Sequence, residues 1–383
     1  METTTLGDLI SLQRGYDLTE RQRRPGCIPV VGSAGIHGYH DTSRAKGPGI
    51  TLGRSGASFG KVTYVRQDFW PHNTTIFVTD FKGNDPLFVR YLLESLDFSS
   101  LNSGSAQQSL NRNFVYPVRV PKVAFPIQQR VAGILSAYDG LIENSQRRIK
   151  VLESMARALY REWFVNFRFP GHESVPRLPS PLGEIPQGWE VKKLSELVTT
   201  QYGYTESTNE SPVGPKYLRG MDMNKTSYID WSQVPYCPIS DEAKEKYAVR
   251  RGDVFVIRMA DPGKVGIVEQ EVDAVFASYL IRVAPKDNRL SSYFLFYLME
   301  SAEYYAYITG ASTGTTRKSA SAGVVTDYKF ILPPHDLIEQ FDRSVGEIRL
   351  LLTNLLRQSV NLRRTRDLLL PRLLSGQIDI EEH

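Results

Sequence analysis

Several short motifs approach known catalytic or ligand-binding patterns without completing them. The run Gly56–Val62 resembles a phosphate-binding loop, but its first glycine lies one residue too close and Val62 stands where a Ser or Thr would hold magnesium. Gly53–Ala57 lacks the last residue of a nucleophile elbow, and His37 and His40 have no further Cys/His metal ligands nearby. No dinucleotide-binding fingerprint is present either. We therefore predict no catalytic, metal or cofactor site in this chain.

The triplet Gly60-Lys61-Val62 recurs as Gly263-Lys264-Val265, without a glycine-rich run before the second copy. We interpret both triplets as turns entering strands.

Two polar loops, 102–113 and 309–323, carry side chains of the types that bind DNA. Arg can pair with guanine and Gln or Asn with adenine, while Ser, Thr and Lys bind phosphates. The predicted DNA-binding residues, in these loops and at the two turns, are Arg54, Lys61, Gln107, Gln108, Asn111, Arg112, Arg258, Lys264, Thr315, Thr316, Arg317 and Lys318. The alternative interpretation is that both loops are solvated surface.

Charge alone does not explain DNA binding. Lys and Arg number 46 against 42 Asp and Glu, a net charge of +4. Residues 1–125 hold 14 basic and 10 acidic side chains (14 − 10 = +4), and residues 189–334 hold 17 and 18 (17 − 18 = −1). The second segment must therefore concentrate its positive charge on one face if it binds DNA.

Composition indicates a folded protein of more than one domain. The chain has 383 residues, of which 41% are hydrophobic, 23% charged and 11% aromatic, too many aromatics for a largely disordered chain. Its two cysteines, Cys27 and Cys237, cannot form a disulfide framework. No secretory signal precedes the first structured residues, and no apolar stretch reaches the ~20 residues of a membrane span. These features predict a cytoplasmic protein.

The two halves of the sequence repeat each other. Leu6, Leu9 and Gly15-Tyr16 match Leu194, Leu197 and Gly203-Tyr204 at a shift of 188, and the Gly-Lys-Val triplets match at 203. Phe88–Ser95 resembles Phe294–Ser301, and each is followed by one of the polar loops. The chain therefore contains two similar globular units.

Each repeat ends in a long helix whose apolar positions alternate in steps of 3 and 4, in phase at a shift of 210. This period is typical of a coiled coil, and a helix of about 40 residues, roughly 60 Å long, overhangs a small domain. The alternative is that each helix packs only on its own globular unit. We predict antiparallel pairing of the two helices, with the globular units at opposite ends and pseudo-twofold symmetry. The predicted seam residues are Leu135, Tyr138, Ile142, Ile149, Leu152, Leu159, Val345, Ile348, Leu352, Leu355, Leu362 and Leu369.

These patterns predict an α+β fold with five segments. Strand-like runs at Val254–Ile257 and Tyr328–Leu332 accompany helices near Phe88–Leu96 and Tyr293–Met299. The predicted segments are a first recognition domain at 1–125, a spacer helix at 126–166, a Pro- and Gly-rich linker at 167–188, a second recognition domain at 189–334, and a second spacer helix with the C-terminal tail at 335–383. Two units with the same frame but different loops, held apart by a rod, would recognise two unequal half-sites at a fixed spacing.

Three strings resemble the specificity (S) subunits of type I restriction-modification systems: Leu159–Gly171 (LYREWFVNFRFPG), Gly183–Trp189 (GEIPQGW) and Leu370–Gly376 (LPRLLSG). The resemblance covers nearly the whole chain. It implies two target recognition domains, two helical spacers and a non-catalytic role on double-stranded DNA with a bipartite site. It also implies assembly with two methyltransferase subunits and with restriction/translocase subunits, which would carry S-adenosylmethionine, ATP and Mg. The chain departs from the pattern at its start, where no Ile-Pro-x-Gly-Trp string precedes Leu6.

A second hypothesis stays open at this point. The units could bind proteins while the helices merely dimerise, which would make the chain a scaffold with no nucleic-acid partner. A mobility-shift assay on mixed duplexes, with methyltransferase subunits present, distinguishes the two hypotheses.

Overall fold

The computed structural model describes residues 2–101, 109–312 and 318–378. The chain divides into two compact units, the first formed by residues 1–143 and 361–383 and the second by residues 144–360. Both units mix helices and strands, which confirms the predicted α+β class.

The first unit is built around a four-stranded antiparallel sheet of order β2-β8-β5-β6, accompanied by a three-stranded sheet β4-β3-β7 and the pair β1-β9. Its elements are β1 (Thr3–Thr5), α1 (Leu6–Leu9), β2 (Ser11–Arg14), β3 (Ile28–Gly32), β4 (Gly35–His40), β5 (Gly49–Gly53), β6 (Val62–Val65), β7 (Trp70–Pro71), β8 (Thr75–Asp80), α2 (Pro86–Glu94), α3 (Arg112–Val115), β9 (Arg119–Pro121) and the first part of α4 (Phe125–Tyr160).

The second unit contains the rest of α4, which continues into a π-helical turn at Arg161–Val165. A short hairpin, β10 (Arg177–Ser180) with β11 (Gly183–Pro186), lies within the Pro- and Gly-rich segment. The later elements are β12 (Glu190–Lys193), α5 (Leu194–Leu197), β13 (Val198–Tyr202), β14 (Lys216–Leu218), α6 (Asp241–Tyr247), β15 (Val254–Ile257), β16 (Val265–Ile267), β17 (Ala274–Phe276), β18 (Leu280–Pro285), α7 (Ser292–Glu300), α8 (Ala302–Ala311), α9 (Ala322–Thr326), β19 (Lys329–Leu332) and α10 (His335–Leu374), whose last part belongs to the first unit.

The second unit repeats the frame of the first, which confirms the internal repeat. Its main sheet has the order β13-β18-β15-β16, β12 pairs with β19 as β1 does with β9, and β14 pairs with β17 in parallel as β3 does with β7. The Gly-Lys-Val triplets enter β6 and β16, as predicted. The units differ around the third strand, where the first has the β3–β4 hairpin and the second has an insertion that includes α6.

Each core lies between the main sheet and a helix that follows it. All residues of β5 and of β15 are buried, because α2 and α7 cover one face of the respective sheet. Asp85 caps α2 and Ser291 caps α7 by accepting a hydrogen bond from the backbone of the third helical residue, which fixes where each helix begins. The repeat is thus reproduced down to the caps.

The long helices pack antiparallel in both units. In the first, Leu373 and Leu374 of α10 join the core that contains Val131 and Leu135 of α4, while Arg366 lies 2.6 Å from Asp139. In the second, Ile149 contacts Leu352 and Leu355, and the rings of Tyr160 and Phe341 lie 6.1 Å apart. Of the seam positions, six are buried (Leu135, Ile142, Ile149, Val345, Leu352 and Leu355), and six are half-buried (Tyr138, Leu152, Leu159, Ile348, Leu362 and Leu369).

The string Leu159–Gly171 has a structural role in the second unit. The Phe164 ring lies 4.9 Å from the ring of Phe294, 5.0 Å from Phe341 and 6.0 Å from Trp189. Because Trp189 ends the string Gly183–Trp189, two of the three diagnostic strings meet in one aromatic cluster.

Candidate nucleic-acid interface

A Gly-Tyr pair at the end of the first sheet strand lets two strands approach closely. A Cβ on Gly15 would lie 2.1 Å from the His72 carbonyl oxygen, and a Cβ on Gly203 would lie 2.2 Å from that of Ala277. Only glycine fits at such a distance. The residue before each glycine, Arg14 in the first unit and Tyr202 in the second, therefore has a fixed place at the sheet edge.

An arginine follows the central strand at the same place in both units. The Arg54 backbone N–H donates to the Thr74 carbonyl (2.9 Å), and the Arg54 carbonyl accepts from Leu110 N–H (2.8 Å). In the second unit the Arg258 N–H donates to Tyr279 (2.9 Å), and the Arg258 carbonyl accepts from Ala320 N–H (2.9 Å). Each arginine is thereby tied to the C-terminal part of its polar loop, at Leu110 and at Ala320.

In the first unit this arginine lines an open cleft of about 520 Å³ together with Asn111 and Arg112. Arg112 begins α3, Asn111 caps it, and the Arg112 Nη1 donates to the Leu12 carbonyl at 3.2 Å. The Arg54 Nη1 donates to the Asn73 carbonyl at 3.4 Å. Because backbone carbonyls use only part of each guanidinium, further N–H donors remain for a ligand. The structure thus brings Arg54, Asn111 and Arg112 together.

In the second unit the Arg258 guanidinium stacks on an aromatic ring. Its central carbon lies 4.8 Å from the Tyr202 ring centroid, and the Tyr202 hydroxyl accepts a hydrogen bond from Ala322 N–H at 2.9 Å. The Arg258 Nε is buried, and no described residue accepts a hydrogen bond from it. Lys318 is exposed and lies beside this site, because its carbonyl accepts from Ala260 N–H at 3.1 Å.

The two lysines predicted at the turns, Lys61 and Lys264, point elsewhere. Lys61 is exposed, and its Nζ donates to the Ala34 carbonyl at 2.6 Å. Lys264 lies over the Tyr305 ring at 4.8 Å and lines a different cleft, which also contains the ion pair of Arg157 with Glu300. Neither lysine is among the residues that line the Arg54 cleft. Gln107, Gln108, Thr315, Thr316 and Arg317 lie outside the described residues.

Sequence reasoning missed three arginines of the first unit. Arg14 lines the Arg54 cleft, and Arg24 and Arg44 line a second open cleft that shares Tyr16 and Asp17 with it. The one sequence signal was the position of Arg14 directly before the repeated Gly-Tyr pair. Arg24 and Arg44 come close to this region only through the pairing of β3 with β4 and β7, which a one-dimensional pattern does not reveal.

Two histidines of the first unit, His37 and His72, have pKa values below the usual one. Burial lowers the pKa of His37, and the charge of Arg23 lowers it further. Burial also lowers the pKa of His72. Both shifts favour the neutral imidazole. Within residues 2–101, 109–312 and 318–378, no cluster of three or more His, Cys, Asp or Glu side chains is arranged to hold a metal ion, and no helix is both long and apolar enough to cross a membrane.

Comparison with known proteins identifies the family that has this arrangement. Residues 1–154 and 186–340 match the family described as "Type I restriction modification DNA specificity domain". The chain belongs to this family. Both matched segments contain one repeat of the fold, from its first strand into its long helix.

Relatives in this family are specificity subunits. The chain is 24% identical over 314 residues to the type I restriction enzyme MjaIX specificity subunit of Methanocaldococcus jannaschii, covering 77% of this chain and 69% of the relative. It is 27% identical to the MjaVIII subunit of the same organism, covering 65% of this chain but 60% of that relative. It is 23% identical to the HindI specificity subunit of Haemophilus influenzae, covering 66% and 67%.

A solved structure shares the fold. The type I restriction-modification S subunit from M. genitalium superposes with a TM-score of 0.61 at 15% sequence identity, covering 97% of this chain and 96% of that one. At this identity the likeness concerns the fold alone.

Proposed function

We propose that this chain is the non-catalytic DNA-recognition subunit of a type I restriction-modification complex. Its two recognition domains, residues 1–125 and 189–334, each bind one half-site of a bipartite target, and helices α4 and α10 set the gap between the half-sites. The observation that carries the proposal is the arginine held at the same backbone position in both units, Arg54 and Arg258, each tied beside a loop whose sequence differs.

The chemistry of these positions suits base recognition. A guanidinium can donate two parallel hydrogen bonds to guanine O6 and N7, and an Asn side chain such as that of Asn111 can pair with adenine. A backbone anchored on both sides, as at Arg54 and Arg258, holds such a side chain in one place, so that a shift of the DNA register costs hydrogen bonds. Different loop residues on a common frame then give different half-sites.

Catalysis in this proposal belongs to the partners. Two methyltransferase subunits bind S-adenosylmethionine and modify the target, and restriction/translocase subunits use ATP and Mg. The chain directs both to the DNA and works in the cytoplasm, where that DNA lies.

Arginine substitutions test the assignment of half-sites. In the complex of full chain and methyltransferase subunits, Arg54→Ala should reduce discrimination by about 1–3 kcal/mol in one half-site, and Arg258→Ala by the same amount in the other. Methylation mapping on genomic DNA measures both. Arg119→Ala and Arg289→Ala remove the same charge outside the clefts and should leave both half-sites unchanged. If all four variants bound and methylated DNA alike, or if the complex bound no duplex in a mobility shift, the proposal would be wrong.

Insertion into the helices tests the gap. Seven residues added to both α4 and α10 preserve the apolar period and lengthen each helix by about 10 Å, roughly three base pairs. The bases recognised should stay the same while the gap grows by about one to three base pairs. An unchanged gap with normal methylation would show that the helices do not set it.

A further inference from the structure

The second open cleft of the first unit adjoins the Arg54 cleft. It has a volume of about 390 Å³, and Tyr16 and Asp17 line both clefts. The two clefts therefore form one continuous surface, along which a ligand of the Arg54 cleft can extend.

Arg44 lines this second cleft, and its guanidinium lies against two aromatic rings. Its guanidinium carbon is 5.3 Å from the centroid of the Trp70 ring and 5.7 Å from that of Tyr16. Trp70 is buried, its Nε1 donates to the Tyr16 carbonyl at 3.3 Å, and Arg44 N–H donates to the Phe69 carbonyl at 3.0 Å. The ring contacts orient the guanidinium plane but do not use its N–H donors, which lie in that plane.

The Arg44 side chain is exposed, and its guanidinium N–H donors have no acidic partner in the part of the chain that the structure describes. Arg24, on the same cleft, pairs with Asp41 through Nε at 2.9 Å, which leaves its two Nη groups available. Across both clefts the lining residues include five arginines and a single carboxylate, Asp17, which accepts a hydrogen bond from Asn73. The five are Arg14, Arg24, Arg44, Arg54 and Arg112.

In the second unit an aromatic ring, that of Tyr247, lies beside the counterpart of Tyr16. Tyr204, the counterpart of Tyr16, lies 5.5 Å from the ring of Tyr247 at the end of α6, and Val275 stands where Trp70 does. Two cations contact neighbouring rings instead: Lys246 lies 5.3 Å from the Tyr247 ring centroid, and the Arg282 guanidinium carbon lies 5.1 Å from that of Phe276. An oriented, unpaired guanidinium at this place is therefore a feature of the first unit.

We propose that the cleft around Arg44 and Arg24 binds phosphates of the DNA backbone that flank the half-site recognised by the first unit. This inference rests on the proposed function. A planar guanidinium can grip a phosphate with two parallel hydrogen bonds, and such a contact adds affinity and salt dependence without sequence information. The first unit thus holds its half-site through more backbone contacts than the second.

The test compares Arg44→Gln with Arg119→Gln, a matched loss of charge at an exposed position of the same unit, in the full chain assembled with its methyltransferase subunits. The dissociation constant for a duplex with the mapped target is measured between 50 and 200 mM NaCl. Each phosphate contact contributes about 0.9 to the log–log salt slope. Wild type should therefore lose about 3.5-fold more affinity over this range than Arg44→Gln, whereas Arg119→Gln should match wild type.

Ethylation interference locates the contact. Ethylating phosphates beside the first half-site should weaken wild type but have little further effect on Arg44→Gln, and the methylated bases should stay the same in both. Equal salt slopes for Arg44→Gln and Arg119→Gln would overturn the proposal. The proposal would also be wrong if Arg44→Gln no longer assembled with the methyltransferase subunits in the absence of DNA, since the cleft would then bind an acidic protein surface. It would likewise be wrong if inorganic phosphate competed with DNA binding while ethylation of the DNA phosphates had no effect.

Two further comparisons keep the result interpretable. Should Arg44→Gln fail to fold, Arg24→Gln gives the same readout on an exposed side chain, and an unchanged slope there overturns the proposal. If Arg54→Ala alters the half-site while Arg44→Gln behaves as its control, only this inference fails. If Arg54→Ala and Arg258→Ala leave methylation unchanged, the proposed function itself fails.

Discussion

The first unit leaves the guanidinium beside the Gly-Tyr pair open to ligands, whereas the second unit stacks it on a ring. Arg14 and Arg54 line one cleft in the first unit, and the equivalent positions in the second are Tyr202 and Arg258, 4.8 Å from ring centroid to guanidinium carbon. The backbone hydrogen bonds that place Arg54 and Arg258 are the same. The difference shows that the shared frame fixes the backbone position of the arginine, while the residue before the glycine decides whether its guanidinium has an aromatic ring to stack on.

The two units also differ in the charged residue that each long helix carries at one equivalent position. Asp139 of α4 and Arg349 of α10 occupy the same position of the repeat, at a shift of 210, with opposite charge. Asp139 accepts from the Tyr91 hydroxyl (2.8 Å) and pairs with Arg90 (2.9 Å) and Arg366 (2.6 Å). Although burial disfavours its charged form, hydrogen bonds from Arg366 and Tyr91 hold the pKa of Asp139 below its usual value.

Arg349 is fully buried and ties the insertion of the second unit to the helices. Its Nε donates to Glu269 (2.8 Å), and its Nη1 donates to the Ser227 hydroxyl (3.0 Å). The backbone N–H of Ser227 in turn donates to Glu153 of α4 (3.0 Å). Ser227 belongs to the segment without a counterpart in the first unit. The two units therefore use one helix register for different purposes.

The largest expected effect breaks this second network. Arg349→Met should destabilise the second unit by about 3–5 kcal/mol, because Glu269, whose side chain is only 11% exposed, would lose its cationic partner and keep the Tyr293 hydroxyl 3.5 Å away. Arg366→Met, at a partly exposed pair where Asp139 keeps Arg90, should cost about 1–2 kcal/mol. Urea unfolding, monitored by hydrogen exchange in each unit, measures the loss of unfolding free energy in both variants. The double variant Glu269→Gln, Arg349→Met should recover part of the loss, and equal losses for the two single variants would contradict the comparison.

A smaller effect of equal size in both units tests the shared frame. Gly15→Ala and Gly203→Ala should each cost about 3 kcal/mol, because the new Cβ would overlap a backbone oxygen that a sheet holds in place. Gly140→Ala is the matched control: nothing lies within 4 Å of a Cβ there, and alanine favours the helix by about 0.8–1 kcal/mol. A large loss at one Gly-Tyr pair and none at the other in thermal unfolding would show that the two turns are not equivalent.

The Gly-Tyr pair was predictable because its signal is local and repeated. The same holds for the long helices and for the strands at Val254–Ile257 and Tyr328–Leu332, whose periodicity or apolar runs are complete within a few turns or residues. Arg44 and Trp70 meet only because β7 pairs with β3 in parallel and β4 with β3 in antiparallel fashion. Such contacts depend on strand order, which the sequence pattern of one chain does not determine.

The sequence pattern also did not show that the two turn lysines lie apart from the arginines. Lys61 and Lys264 follow Arg54 and Arg258 closely in sequence, yet the chain reverses between them, so that Lys264 lines the cleft with Glu300. The direction of a side chain after a tight turn is set by backbone geometry that composition does not reveal.

Ala132 of α4 and Asp342 of α10 occupy the same position of the repeat, at a shift of 210. Only Asp342 can ionise, so the stability of the two units should depend differently on pH. Burial raises the pKa of Asp342 to about 6, although the Ser291 hydroxyl donates to it at 2.7 Å; Glu339 raises it further and His335 lowers it. Since the unfolded value lies near 3.8, the folded state binds the proton more tightly, and stability falls as pH rises from about 4 through 6. Asp342→Asn should therefore flatten this dependence and stabilise the second unit at pH 7.5 by about 1 kcal/mol, an amount reduced for partial exposure. Urea titrations at pH 4.5 and 7.5 measure it, with the exposed Asp336→Asn as control.

The smallest expected effect returns to the ring beside Arg258. Tyr202 is 42% exposed, so its stacking contributes little to folding, about 0.5–1 kcal/mol, and its main role is to hold the guanidinium in one orientation. Tyr202→Leu removes the ring and the acceptor for Ala322 N–H, and should lower discrimination in the second half-site by a similar amount while leaving total affinity nearly constant. Tyr202→Phe keeps the ring and should discriminate as wild type does.

A third variant at this position tests the contrast between the clefts by charge. Tyr202→Arg should make this site resemble the first unit, with a salt slope steeper by about 0.9 for one added phosphate contact. Competition between the mapped target and single-base mismatches gives the first quantity, and salt titration gives the second. If Tyr202→Leu and Tyr202→Phe discriminated equally, stacking would not orient Arg258, and the contrast between the two clefts would lie in their loops instead.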